Sequence, residues 1–134
     1  AVGNDASPGS GVLLEMFISG TDFTDPVSSA AKCPVTNQLG LEQFRYLATN
    51  GGSKSTINPG VDAEGYDNIP QGTRITESQE IIGGDAYVGD GDLREAGNVL
   101  APGAEVSVTL KLSLPNPCTG NFVDGNIYFW GLAV

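Results

Sequence analysis

The sequence predicts an all-β protein, a single antiparallel β-sandwich of jelly-roll-like or immunoglobulin-like topology over residues 1–134. Three features carry that expectation. From Glu105 to Leu114 the chain alternates, with Val106, Val108, Leu110, Leu112 and Leu114 on one side and Ser107, Thr109, Lys111 and Ser113 on the other. Successive side chains of a strand point to opposite faces, so this run has one apolar and one polar face. From Asn126 to Val134 a second strand carries Ile127, Phe129, Gly131 and Ala133 on one side and Tyr128, Trp130, Leu132 and Val134 on the other. Both faces are largely apolar, which predicts burial between layers and a C-terminal end held in the core. Finally, 19 Gly and 8 Pro suit many short strands joined by turns and speak against a helical bundle.

The remaining elements follow in chain order. Ala1 to Ser10 is polar and flexible in composition, and Val12 to Ile18 is the best strand near the start. Leu41 to Ala48 reads equally as a short helix with Leu41, Phe44, Leu47 and Ala48 on one face, or as a strand with Leu41, Gln43, Arg45 and Leu47 on one side. Asn50-Gly51-Gly52-Ser53 ends it in either case. Thr56 to Gln71, rich in Gly, Pro, Asn and Asp, reads as a long surface loop. Thr73–Glu77, Gln79–Ile82 and Asp85–Val88 are expected to be short strands, the last followed by the acidic turn Gly89-Asp90-Gly91-Asp92. Ala101-Pro102-Gly103 turns the chain into the long alternating strand, and Pro115, Pro117 and Thr119-Gly120-Asn121 end it. Nothing repeats, and no boundary divides the chain into domains.

Composition excludes several classes of function. With 16 acidic and 6 basic residues the net charge is −10, which disfavours nucleic acid as a partner, since phosphate binding needs clustered Lys and Arg. There is no histidine, which removes the commonest general base, the serine-protease relay and the HExxH zinc motif together. The carboxylates are spread among loops with no pair set around a common cleft, so no catalytic residue is assigned and an enzyme is not expected. Asp85, Asp90 and Asp92 offer hard oxygen ligands for Ca²⁺, but the EF-hand order with its terminal Glu is missing, and a solvated turn is the better reading. Gly83-Gly84 and Gly89-x-Gly91 form no phosphate loop, because no Lys-Ser/Thr follows. No cofactor or metal is expected. No asparagine has Ser or Thr two positions on, so N-glycosylation is not expected either.

No run is long and apolar enough to span a bilayer. The chain starts at Ala1 rather than Met, so an export signal is expected to have been cleaved and the protein to be extracellular. In an exported protein Cys33 and Cys118, an even pair flanked by Pro34 and Pro117, are expected to bond to each other, two buried thiols being the alternative. Closing so long a loop is worth on the order of 4 kcal/mol in the chain-entropy model.

The order of the C-terminal pieces carries a resemblance. Leu100, Pro102-Gly103, the alternation from Val106 to Leu114-Pro115, then Thr119-Gly120-Asn121 and a terminal aromatic strand resemble the end of the TasA/camelysin family of secreted bacterial biofilm-fibre proteins. The same pieces resemble their archaeal relatives, the bundling pilus subunits. Phe17-Ile18-Ser19-Gly20-Thr21-Asp22-Phe23 is similar to that family's first core strand, an aromatic residue followed by small-Gly-Thr-x-hydrophobic. Nothing between Thr24 and Asn98 matches. The bacterial proteins generally lack the cysteine pair, which draws the comparison towards the archaeal members.

The resemblance implies a filament subunit, a pilus or biofilm-matrix fibre that polymerises by donor-strand complementation. A segment at the start of one subunit completes the sandwich of the next, head to tail, with lateral bundling of filaments left open by the sequence. The polymerisation arm implied is Ala1, Val2, Gly3, Asn4, Asp5, Ala6, Ser7, Pro8, Gly9 and Ser10, within a flexible or donated stretch of residues 1–11. With few large side chains its hold would rest on backbone hydrogen bonds and on small anchors such as Val2 and Ala6. The camelysin relatives regarded as proteases give no activity to carry over, because this chain offers no metal constellation. Two other functions stay open: a monomeric surface adhesin or carbohydrate-binding module, and a viral coat or surface-layer subunit. A sugar-binding surface shows clustered aromatics, whereas Tyr46, Tyr66, Tyr87 and Trp130 are scattered along the sequence.

Overall fold

A computed structural model describes residues 1–26, 38–51, 53–54, 62–89, 95–114 and 120–134. Among these there is no α-helix, and two antiparallel sheets of five and four strands enclose one core, the arrangement of a β-sandwich, with a separate two-stranded antiparallel pair beside them. In chain order the strands are β1 (Val2–Gly3), β2 (Leu14–Gly20), β3 (Phe23–Thr24), β4 (Gln38–Leu39), β5 (Phe44–Asn50) and β6 (Ser53–Lys54). They continue with β7 (Asp67–Asn68), β8 (Gln79–Glu80), β9 (Val99–Leu100), β10 (Glu105–Leu112) and β11 (Ile127–Ala133).

The first sheet is organised by β2, whose Leu14, Met16 and Ile18 alternate towards the core. On one side β2 pairs along its whole length with β11, from Gly20 opposite Ile127 to Leu14 opposite Ala133. On the other side it pairs with β8 at Phe17 and Ile18 and with β9 at Leu14 and Glu15. The second sheet is organised by the β5–β10 pair, from Thr49 opposite Ser107 to Phe44 opposite Leu112. Beyond β5 lie β6 and β7, and beyond β10 lies only β1, with Val2 opposite Val106 and Gly3 opposite Glu105. Between the sheets Ile18, Tyr46, Ala48, Ile81, Leu100 and Val106 are buried. Each aliphatic side chain buried there contributes roughly 1.5–3 kcal/mol.

Several expectations are settled here. The ambiguous Leu41–Ala48 stretch is a 3₁₀ turn at Leu41–Gln43 followed by strand β5, because the alternation places Tyr46 and Ala48 in the core. Thr73–Glu77 is not a strand. Ile75–Glu77 is a 3₁₀ turn, closed by the Thr73 amide donating to the Glu77 carboxylate and the Ser78 hydroxyl to the Ile75 carbonyl. Gln79–Ile82 keeps strand pairing only at Gln79–Glu80, and Asp85–Val88 only a single bridge from Ala86 to Gln79. The terminal strand is not sandwiched between layers. Strand β11 is the outermost of its sheet, Phe129 on its core-side face is 39% exposed, and Val134 at the C-terminal end is exposed as well. Its apolar faces are fewer-sided in contact than its composition suggests, since a strand's place in a sheet is set by long-range topology.

Candidate functional site, an open flank

The two flanks of the sandwich are distinguishable. Gln79 of β8 donates through Nε2 to the Asp67 carboxylate (3.1 Å) and to the Asn68 carbonyl (3.2 Å) of β7, so the β8 edge of one sheet adjoins the β7 edge of the other. The remaining edges, β11 of one sheet and β10 of the other, are the open flanks of their sheets, and beside β10 the arm's Asn4 reaches the Leu100 carbonyl of β9. Among the described residues β11 has no second neighbour, and β10 has none beyond the two-residue strand β1, which leaves Ser107–Leu112 unpaired on that side. Outer strands of this kind present rows of amide and carbonyl groups to a further strand.

The side chains tell the same story. Leu110 lies opposite Tyr46 and Leu112 opposite Phe44, and directly paired residues share a face, so both leucines belong to the core side of their sheet. Yet they are 50% and 46% exposed. Phe129, paired with Ile18, is on the core side of its own sheet and is likewise exposed. Core-side apolar residues are thus exposed on the end strands of both sheets. The sequence pattern identified these residues as apolar and inward-facing, and it held no signal that the layer over them is incomplete.

The opposite flank is closed. Tyr46 reaches across the core and donates its hydroxyl to the Ile81 carbonyl (2.8 Å), with the Glu80 carbonyl at 3.2 Å, while Gln79 Nε2 donates to the same hydroxyl. Burial, together with the Asp67 and Glu80 charges nearby, pushes the Tyr46 phenol well above its usual range. Asp67 is also raised, chiefly by desolvation, although hydrogen bonds from Asn68 and Gln79 pull it the other way.

The segment expected to be a flexible or donated arm is seated on its own chain over Val2–Asn4. Val2 packs against the core, the Asn4 amide donates to the Ala104 carbonyl (2.9 Å) and the Gly103 amide donates to the Asn4 carbonyl (2.7 Å). Gly103 holds φ +82°, a left-handed conformation that lets the turn present its amide to the arm. Residue 3 is glycine at a close approach, since a Cβ there would meet the Glu105 side chain at 3.0 Å. The arm therefore occupies one end of the open flank, and the free length of β10 begins where it stops.

The other residues singled out in the sequence are dispersed. Tyr66 lies under the Lys111 ammonium at 5.1 Å, and Lys111 pairs with Asp62 (2.9 Å) and Glu64 (2.7 Å). Tyr87 packs edge-on against Phe17, and Trp130 stacks beside Tyr128 with 5.5 Å between ring centres while donating to the Ser19 hydroxyl. Of the calcium candidates, Asp85 is exposed, and Asp90 and Asp92 lie outside the described residues, as do Cys33 and Cys118. Among the described residues no helix is long and apolar enough to cross a membrane. Nor does any group of three His, Cys, Asp or Glu side chains gather there in a way that would hold a metal ion.

Among the described residues the fold is all-β, with β11 unpaired on its outer side and β10 unpaired beyond β1. Compared with family models, curated proteins and solved structures, the chain matches none. The likeness to the fibre family accordingly rests on the residue patterns quoted above.

Proposed function

We propose that this protein is the structural subunit of an extracellular filament, and that subunits join when a strand from one occupies the open flank of the next. The observation that carries this reading is the free edge of β10 beyond β1 among the described residues, beside exposed core-side Leu110 and Leu112. An added strand satisfies the edge of β10 with backbone hydrogen bonds and covers apolar surface at the same time. The arm Ala1–Ser10 is the donor that the resemblance implies, and its cis seat on β10 fits a segment able to pair with that edge. Because donor and acceptor are different surfaces of one chain, the contact is head-to-tail and propagates. The net charge of −10 opposes close approach of subunits, so salt favours growth by screening.

Electron microscopy of the full chain beside a variant lacking Ala1–Ser10 tests this. Filaments from the full chain and folded, dispersed monomers from the truncation are expected. Filaments of the same form from the truncated chain would overturn the assignment of the donor. A sugar-binding module is the second reading, and the adjacent Tyr128 and Trp130 rings favour it, although the Trp130 indole is half-buried and tied to Ser19.

A further inference from the structure

Asn4 is a polar residue in a polar segment, yet it is only 2% exposed, and each of its hydrogen-bonding groups has a partner. Its Nδ2 donates to the Val12 carbonyl at 2.8 Å and to the Leu100 carbonyl at 2.9 Å. Its Oδ1 accepts from the Ala6 amide at 3.0 Å, while its main chain pairs with Ala104 and Gly103. Asn4 thus ties the arm through its side chain to the lead-in of β2 and to β9, and through its main chain to the turn that opens β10. Asparagine suits this position because one nitrogen offers two donors and the amide oxygen accepts a third bond without charge. Aspartate lacks the donors, and alanine leaves both carbonyls without their partner.

Beyond Asn4 the arm holds on weakly. Ser7, Pro8, Gly9 and Ser10 are exposed, Pro8 has no amide to donate, and β1 contributes only two paired residues. The seat therefore concentrates its specific contacts in one residue at the junction of the two sheets. We infer that Asn4 is a latch: it holds the arm on its own subunit, and its release frees the arm as a unit while the sandwich stays folded. This rests on the filament reading, in which the same arm joins subunits. The latch then makes arm release the slow step of assembly.

Amide hydrogen exchange of the monomeric full chain, wild type against Asn4→Ala, tests the latch without reference to filaments. The amides at position 4 and at Gly103 should exchange roughly tenfold faster or more in the variant, since the buried Leu100 carbonyl and the part-buried Val12 carbonyl lose their donor. Ile18 and Ala48, in the paired strands of the two sheets, should be unchanged. Equal exchange at Gly103 in both proteins overturns the latch. So does faster exchange throughout the core, which would make Asn4 an ordinary core residue. Asn4→Asp gives an independent check, because the introduced carboxyl donates one bond when protonated and none when ionised. The arm's protection in that variant, measured relative to wild type at each pH, should fall from acid to neutral pH, and a constant ratio contradicts the proposal. In assembly, Asn4→Ala should shorten the lag before filament growth, and an unchanged lag with a demonstrably open arm overturns the gating role. Absence of filaments from both proteins would instead tell against the filament reading, with hydrogen exchange still deciding whether Asn4 latches the arm.

Discussion

On the flank where β7 meets β8, Tyr46 and Gln79 reach from one sheet to backbone or side-chain partners on the other, and Ile81 and Ile82 fill the space between them. Where β10 and β11 end their sheets, the core-side positions are occupied by leucine and phenylalanine as well, but solvent reaches them. The same alternation of apolar residues thus gives buried positions at one edge of the sheets and exposed ones at the other. Residue type does not distinguish the two; the number of strands available to cover each does. A monomer that keeps large apolar side chains uncovered beside unpaired strand edges is suited to take up another strand.

The comparison is sharpest when equivalent truncations are made on the two flanks. Ile81→Ala should cost about 2–5 kcal/mol of folding stability, because the side chain is fully buried and leaves a cavity. Leu110→Ala, on the same kind of core-side position, should cost about 1 kcal/mol or less, because the leucine is already half in water. Denaturant unfolding of the two variants measures the difference. Similar losses at both sites would mean that the open flank is covered in solution.

A smaller effect separates the flanks by pH. Asp67 has a raised pKa in the folded protein, so folding favours its protonated form. Its contribution to stability is therefore greatest in acid and falls as pH rises from the ordinary aspartate range through the folded value. Asp67→Asn should remove that part of the pH dependence, read as a flatter stability–pH profile between acid and neutral. An unchanged profile would show that Asp67 is solvated as in the unfolded chain.

How much of this was legible in the sequence depends on how local the cause is. The strand at Glu105–Leu112 was readable because period-two alternation is written residue by residue, and it ends two residues before the predicted Leu114. The terminal strand was placed correctly in the chain but wrongly in the fold. Apolar residues on both its faces suggested two covering layers, whereas pairing with β2 alone makes it an outer strand. Leu41–Ala48 satisfied helical and extended patterns equally, and the choice was made by Tyr46 reaching Ile81, a contact 35 residues away. Thr73–Glu77 alternates like a strand, but Glu77 and Ser78 close it into a turn by local side-chain bonds. Asn4 was not readable at all. Its partners include Leu100, 96 residues on, and nothing in Ala-Val-Gly-Asn-Asp-Ala distinguishes a buried asparagine from a solvated one.

The central claim is that assembly takes place on the open flank, and amide hydrogen exchange of assembled against monomeric protein tests it directly. The account predicts new protection on assembly at Ser107–Leu112, in the amides that point away from β5, together with reduced exposure around Leu110, Leu112 and Phe129. Assembled protein whose β10 and β11 exchange as in the monomer, with new protection at the β7–β8 flank instead, would contradict it.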